Sequence, residues 1–119
     1  MDYVTRPLSH GQMGLWLHHQ RRPTGSEYNM PVELRISAPF DIAALRRALQ
    51  SLIDCHEMLR TTFHQEGAHV VQHIHEKGSL SFHVVRLEGV EEANFHQSIA
   101  AEARSPFDLE HGPVFRAHL

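Results

Sequence analysis

Cys55-His56-Glu57-Met58-Leu59-Arg60-Thr61-Thr62-Phe63-His64 marks a change of period in this 119-residue chain. On its N-terminal side Ile42, Leu45, Leu49, Leu52 and Ile53 recur at helical spacing behind Asp41, whose carboxylate suits an N-cap. Arg46, Arg47, Gln50 and Asp54 fall on the opposite face, which reads as the wet one. On the C-terminal side β-branched and aromatic residues take over. Leu59 to His64 reads as a strand, Gln65-Glu66-Gly67 as a turn, and Ala68 to His75 as the returning strand of a hairpin. A helix that feeds a hairpin within a few residues makes the fold a mixture of helix and strand.

Toward the N-terminus, Ser9 followed three residues later by Gln12 is the spacing of a capping box. A helix is expected from about His10 to His19, with Met13, Trp16 and Leu17 on its buried stripe. Gly14 inside it suggests a close backbone approach. Pro23 and Gly25 mark a loop, and Val32-Glu33-Leu34-Arg35-Ile36-Ser37 alternates with the period of a strand that buries one face. Toward the C-terminus, Lys77-Gly78-Ser79 reads as a turn and Leu80 to Leu87 as a strand. A helix from about Val90 to Arg104 follows, seamed by Phe95, Ile99 and Ala103 and stopped by Ser105-Pro106. Val114 to Leu119 reads as another strand, with no turn, cap or polar tail after it. Three helices interleaved with about five strands give an α/β chain, in the form of an α+β two-layer sandwich. Residues 1–119 read as one incomplete domain.

Composition narrows the function classes. Eleven Lys and Arg against 14 Asp and Glu leave a formal net charge of −3. Nucleic acid and anionic membranes both require clustered positive charge, and only Arg21-Arg22 and Arg46-Arg47 come near it. The single cysteine, Cys55, excludes an internal disulfide, and Met1-Asp2-Tyr3-Val4 has no signal-peptide run. No segment is apolar for long enough to span a membrane. A cytoplasmic protein is expected.

Three groups of residues invite a chemical reading. Cys55-His56-Glu57 supplies a nucleophile, a base and an acid, but neighbours on a helix project about 100° apart and cannot line up in series. The bland reading of Cys55 is a small buried thiol at a helix end. The chain's 12 histidines are the oddity of its composition. His69, His73 and His75 share one strand face, and His64 is expected across the hairpin from His69. Such a face could hold zinc, yet without a cysteine or carboxylate partner a polar outer face beside inward-pointing Val70 and Ile74 is preferred, and no metal site is assigned. Glu91-Glu92 suits a helix N-terminus rather than acid–base chemistry. Neither phosphate-binding glycine pattern is present.

Taken together, three stretches resemble the condensation domains of nonribosomal peptide synthetases. Pro7-Leu8-Ser9-His10-Gly11-Gln12-Met13-Gly14-Leu15-Trp16-Leu17 is similar to the family's S-x-A-Q-x-R-L-W-x-L motif, with Gly11 for the alanine and Gly14 for the arginine. Residues Cys55 to Phe63 are similar to R-H-E-x-L-R-T-x-F, with Cys55 in place of the first arginine. Ser105 to Arg116 resembles P-F-D-L-x-x-G-P-L-x-R, and Tyr28-Asn29-Met30-Pro31 with Asp41-Ile42-Ala43-Ala44-Leu45 matches the linking pattern.

The resemblance implies the N-terminal lobe of a chloramphenicol-acetyltransferase-like fold. It implies a transferase that joins a carrier-bound acyl or peptidyl donor to a carrier-bound aminoacyl acceptor by an amide bond. Both substrates ride as thioesters on phosphopantetheine, which the donor and acceptor carrier proteins hold; no cofactor is expected on the lobe itself. The family's H-H-x-x-x-D-G motif, whose second histidine orients or deprotonates the attacking amine, is expected shortly after Leu119. His18-His19 is no substitute, because Gln20-Arg21-Arg22-Pro23-Thr24 follows; it is expected at the frayed end of the first helix. No catalytic residue is therefore assigned within the chain. Arg60 matches the arginine that pairs with the aspartate of that motif and supports the active site. Ser9, Gln12, Trp16, His56 and Glu57 are structural members of the motifs. Partners are expected to be the carrier proteins and the remainder of the domain. Epimerisation and cyclisation relatives share these motifs, and a non-catalytic lobe that binds a carrier or self-associates through an open sheet edge is the alternative of a different class.

Overall fold

A computed structural model describes residues 2–119. Strand β1 (Tyr3–Pro7) leads into helix α1 (His10–Arg21), and helix α2 (Ile42–Cys55) passes through a single 3-10 turn (Glu57–Arg60) into strands β2 (Thr61–Glu66) and β3 (His69–His75). Strand β4 (Ser81–His83), helix α3 (Glu92–Ala103) and strand β5 (Arg116–His118) complete the chain. The strands form two sheets. β3 lies between β1 and β2, antiparallel to both, and β4 pairs in parallel with β5.

Local chemistry explains the boundaries. The Ser9 side chain accepts from the Gln12 amide at 3.1 Å while Gln12 Oε1 accepts from the Ser9 amide at 2.8 Å, so both donors at the start of α1 are satisfied. Removing this reciprocal cap by Ser9→Ala is expected to lower stability by about 1 kcal/mol, read from the shift of a urea midpoint. At α2, Asp41 Oδ1 accepts from the Ala43 amide at 2.8 Å. The Thr61 hydroxyl donates to the Glu57 carbonyl at 2.8 Å, which closes the 3-10 turn and delays the strand from Leu59 to Thr61. The hairpin turns at Gly67, whose φ of +62° is one that a side chain disfavours.

Several expectations are corrected. Residues 32–37 form no strand, because alternation creates a face but the ladder needs a partner, and among the described residues none pairs with them. Met30, Val32 and Leu34 are 92, 82 and 81% exposed as a result. Conversely Tyr3–Pro7, which carries no strand pattern of its own, is held as β1 by pairing Tyr3 with His75 and Val4 with Ile74. The expected Leu80–Leu87 strand contracts to Ser81–His83. Cys55 is exposed, not buried: Ile53 takes the inward position, and two residues further on the helix has turned about 200°. Nothing approaches Gly14 within 4 Å of where a Cβ would sit. His18 and His19 lie inside α1, which runs on to Arg21.

Among the described residues the buried apolar side chains are few: Trp16, Ile53, Phe63 and Phe82. Ile53, 1% exposed, meets Gly78 so closely that a Cβ there would stand 2.6 Å from Ile53 Cγ2 and 2.8 Å from Arg60 Cβ. Gln50, assigned above to the wet face of α2, instead bonds across this junction. Its Nε2 donates to the Gly78 carbonyl at 2.9 Å and its Oε1 accepts from the Leu80 amide at 3.2 Å. The chain extends over 53 × 30 × 18 Å with a radius of gyration of 16.5 Å. A closed domain of this length would have about 13–14 Å, so this is a flat, open layer.

Candidate active-site support region

Arg60 closes the 3-10 turn just before β2, which places it between α2, the end of β3 and the Gly78 turn. Its Nη1 donates to the His75 carbonyl at 2.6 Å, and its buried Nε has no hydrogen-bond partner among the described residues. Arg60 borders a cleft of about 290 Å³ whose wall includes Asp2, Tyr3, Glu57, His75 and Glu76. A guanidinium offers five donors in a rigid fork and stays charged. Here one of them is committed to a neutral carbonyl, so the group retains capacity for a carboxylate. His56 caps α2, its amide bonding the Leu52 carbonyl, and accepts at its own carbonyl from the Leu59 amide. Glu57 supplies the carbonyl that holds Thr61. Trp16 is 5% exposed, and Gln12 also reaches Gln72 Oε1 at 3.3 Å, fastening α1 to β3.

The histidines adjoin this region, since His75 and Tyr3 belong both to the cleft wall and to the histidine cluster. His64 lies opposite Val71, not His69, which pairs with Glu66; the two-residue turn sets this register. Tyr3, His73 and His64 stack as a column, with ring centroids 4.1 Å apart at each step. His73 is buried rather than part of an outer face, because Tyr3 covers it, and its Nε2 meets Glu66 Oε1 at 2.9 Å. Thr62 Oγ1 lies 2.8 Å from His64 Nε2 and 2.7 Å from His75 Nε2. A hydroxyl has one proton, so it donates to one ring and accepts from the other, a task for which at least one ring must be neutral at that nitrogen. Among the described residues no group of three or more His, Cys, Asp or Glu is arranged to hold a metal.

Burial and then the neighbouring His73 lower the pKa of His64. His75 acts in the same direction, against the opposing pull of Glu110 and Glu66. The unfolded chain therefore binds more protons near this site than the folded one. The stabilising contribution is complete above the ordinary histidine range and disappears as the pH falls through the lowered folded value. His111, raised by its hydrogen bond to Asp108, runs the other way, but it is fully exposed. Urea midpoints are expected to decline on going from neutral pH to mildly acidic pH, and His64→Gln is expected to flatten that decline. An unchanged slope in the variant would contradict the assignment to His64.

Residues 105–112 wrap the outer edge of β2. The Phe63 amide donates to the Leu109 carbonyl at 2.8 Å, and Asp108 Oδ1 accepts from the Glu110 and His111 amides at 3.0 and 3.1 Å, turning the chain toward β5. Motif residues read separately in the sequence are thus neighbours: the turn of Asp108 lies against the strand that follows Arg60.

This order of helices and strands is the lobe found in solved condensation domains, a chloramphenicol-acetyltransferase-like arrangement. A four-domain nonribosomal peptide synthetase, holo-AB3403, bound to AMP and glycine, superposes with a TM-score of 0.84 over 98% of this chain and 9% of its own, at 21% identity. The condensation domain of the Monacolin K polyketide synthase MokA superposes with a TM-score of 0.82 over 100% of this chain and 28% of its own, at 18% identity. The family model of the condensation domain matches residues 4–119, and the chain belongs to that family. A linear gramicidin synthase of Brevibacillus parabrevis is 39% identical over 117 residues, covering 95% of this chain and 2% of that one. The chain thus spans a few hundredths of the length of such relatives. Among the described residues no helix is long and apolar enough to cross a membrane.

Proposed function

We propose that residues 1–119 are the first part of the N-terminal lobe of a condensation domain that forms amide bonds in nonribosomal peptide synthesis. The donor is an acyl or peptidyl group and the acceptor an aminoacyl group, each a thioester on the phosphopantetheine of a carrier protein, in the cytoplasm. The observation that carries this reading is the spare capacity of Arg60. It matches the family's carboxylate-pairing arginine, with one bond to a carbonyl, a buried Nε that has no partner among the described residues, and a place in the wall of a cleft. A carboxylate arriving there would gain a charge-assisted, forked contact and would hold the loop that carries it in one shape. The chain's own residues support the site; the base belongs to the continuation, and this stretch alone is expected to be inactive.

The test joins this chain to its natural continuation and assays amide formation between loaded donor and acceptor carriers. Product that depends on a paired histidine downstream supports the reading. A continuation without H-H-x-x-x-D-G, or no amide from a folded complete domain, overturns it. The uncovered side chains of Met30, Val32 and Leu34 favour a second reading, a lobe that associates with a copy of itself. Light scattering distinguishes the two, because a monodisperse monomer excludes self-association.

A further inference from the structure

Helix α3 ends at Ala103, where Pro106 prevents its continuation, and its last carbonyls need donors from elsewhere. Two side chains 87 positions apart in sequence add to the backbone donors there, of which the Ser105 amide bonds the Glu102 carbonyl at 3.2 Å. Asn29 Nδ2 donates to the Ala103 carbonyl at 3.0 Å and to the Ser105 carbonyl at 2.9 Å. Arg116 Nη2 donates to the Glu102 carbonyl at 3.0 Å and also to the Ser105 carbonyl, while its Nη1 reaches the Pro106 carbonyl at 3.1 Å. The same guanidinium lies over the Phe107 ring, 4.0 Å from its centroid. A cation at the negative end of a helix is favourable in itself. The fork adds direction, because a planar group that meets three carbonyls at once has one orientation.

Arg116 is also the first residue of β5, opposite Ser81 of β4. From there the strand runs Ala117, His118, Leu119, and the ladder continues past the strand's formal end. The Leu119 amide donates to the His83 carbonyl at 2.8 Å and the Val85 amide to the Leu119 carbonyl at 2.7 Å. His118 Nε2 approaches Glu102 Oε2 at 3.4 Å, a second tie between β5 and the end of α3. A slip of one residue in a strand moves every side chain to the other face. β5 is only three residues long, so its own ladder contributes few bonds to its register. Its first residue, Arg116, is seated on the end of α3, and Asn29 bonds the same Ser105 carbonyl.

We propose that Asn29 and Arg116 are positioning residues: they lock β5 in register on β4 and so aim whatever follows Leu119. On the function proposed above, that is the histidine pair that acts on the acceptor amine. Neither residue touches substrate. Their effect passes along a strand, so it falls on the alignment of the reacting groups, and thus on kcat, rather than on the binding of the carriers.

The experiment has two readouts. In the 119-residue chain, Arg116→Met is expected to raise amide hydrogen exchange at Val85 and Leu119 about tenfold while the β2–β3 hairpin keeps its protection. Exchange at both amides within about twofold of wild type overturns the lock. In the complete domain, Arg116→Met and Asn29→Ala are each expected to lower kcat about tenfold, with KM for both loaded carriers within about twofold. Arg116→Lys keeps the charge and loses the fork, and is expected to recover little of the lost kcat; full recovery would reduce Arg116 to a helix-end charge and overturn the positioning role. Should Arg116→Met not fold, Asn29→Ala removes two of the five bonds with Arg116 in place and carries the same test. If the wild-type complete domain makes no amide, the proposed function fails, while the exchange readout still decides the lock.

Discussion

Replacing Ile53 by alanine is expected to lower the unfolding free energy by about 3–4 kcal/mol, within the range for aliphatic deletions in well-packed interiors. Ile53 is 1% exposed and is the largest fully buried apolar side chain among the described residues. Its Cγ2 lies against Gly78, in the turn that Gln50 also secures, so α2, the Arg60 turn and the chain after β3 all lean on it. The backbone around the site is tied by Gln50 on one side and the Thr61–Glu57 bond on the other, so little collapse into the space is possible. Where the whole stability of a domain is typically about 5–15 kcal/mol, the loss is a large share of it. Guanidinium unfolding with an unchanged slope and a sharply lower midpoint is the expected result. A loss below about 1 kcal/mol would show that the site relaxes and that the fold does not pivot on this residue.

The second large effect comes from adding atoms at the same place. Gly78→Ala would put a methyl 2.6 Å from Ile53 Cγ2 and 2.8 Å from Arg60 Cβ. Neither neighbour is the free end of a flexible chain: one is a branch at Cβ on a helix, the other is bonded to backbone. Overpacking of this kind costs about 1–3 kcal/mol. On the proposed role of Arg60 the position would also bear on function, because one of the two crowded atoms, Arg60 Cβ, carries the guanidinium. The two variants are expected to be coupled. Ile53→Ala removes the Cγ2 that the new methyl strikes, so the double variant is expected to be more stable than the sum of the singles by about 1 kcal/mol. Strict additivity would mean that the strain at Gly78→Ala is borne by Arg60 alone. The complete domain separates this further: Gly78→Ala is expected to reduce kcat even under conditions where it remains folded, because Arg60 is displaced.

What could be read in the sequence divides along a physical line. α1, α2, α3 and the hairpin are written in local chemistry: a Ser9–Gln12 cap, an Asp41 cap, a helical stripe ending at Ile53 and a glycine turn at Gly67. Residues whose state depends on a distant partner were not legible. Tyr3–Pro7 has a proline and an arginine and no alternation, and is a strand because β3 lies beside it. Val32–Ser37 alternates well and is not a strand, because among the described residues no strand pairs with it. The histidine face follows from even spacing, but its cover does not, since Tyr3 reaches His73 only through the sheet. Arg60 stood out through its motif. Asn29 and Arg116 also lie in family motifs, yet their joint purchase on one carbonyl, that of Ser105, has no sequence signature.

The exposed run of Met30, Val32 and Leu34 bears on how heat and denaturant act on this chain. Oily area that is already wet in the folded form adds nothing to the hydration change when the chain comes apart. The heat capacity increment of unfolding should therefore fall below the usual figure of about 12–15 cal/mol/K per residue. Calorimetry would then trace a shallow dome of stability against temperature, with a broad endotherm and little tendency toward cold unfolding.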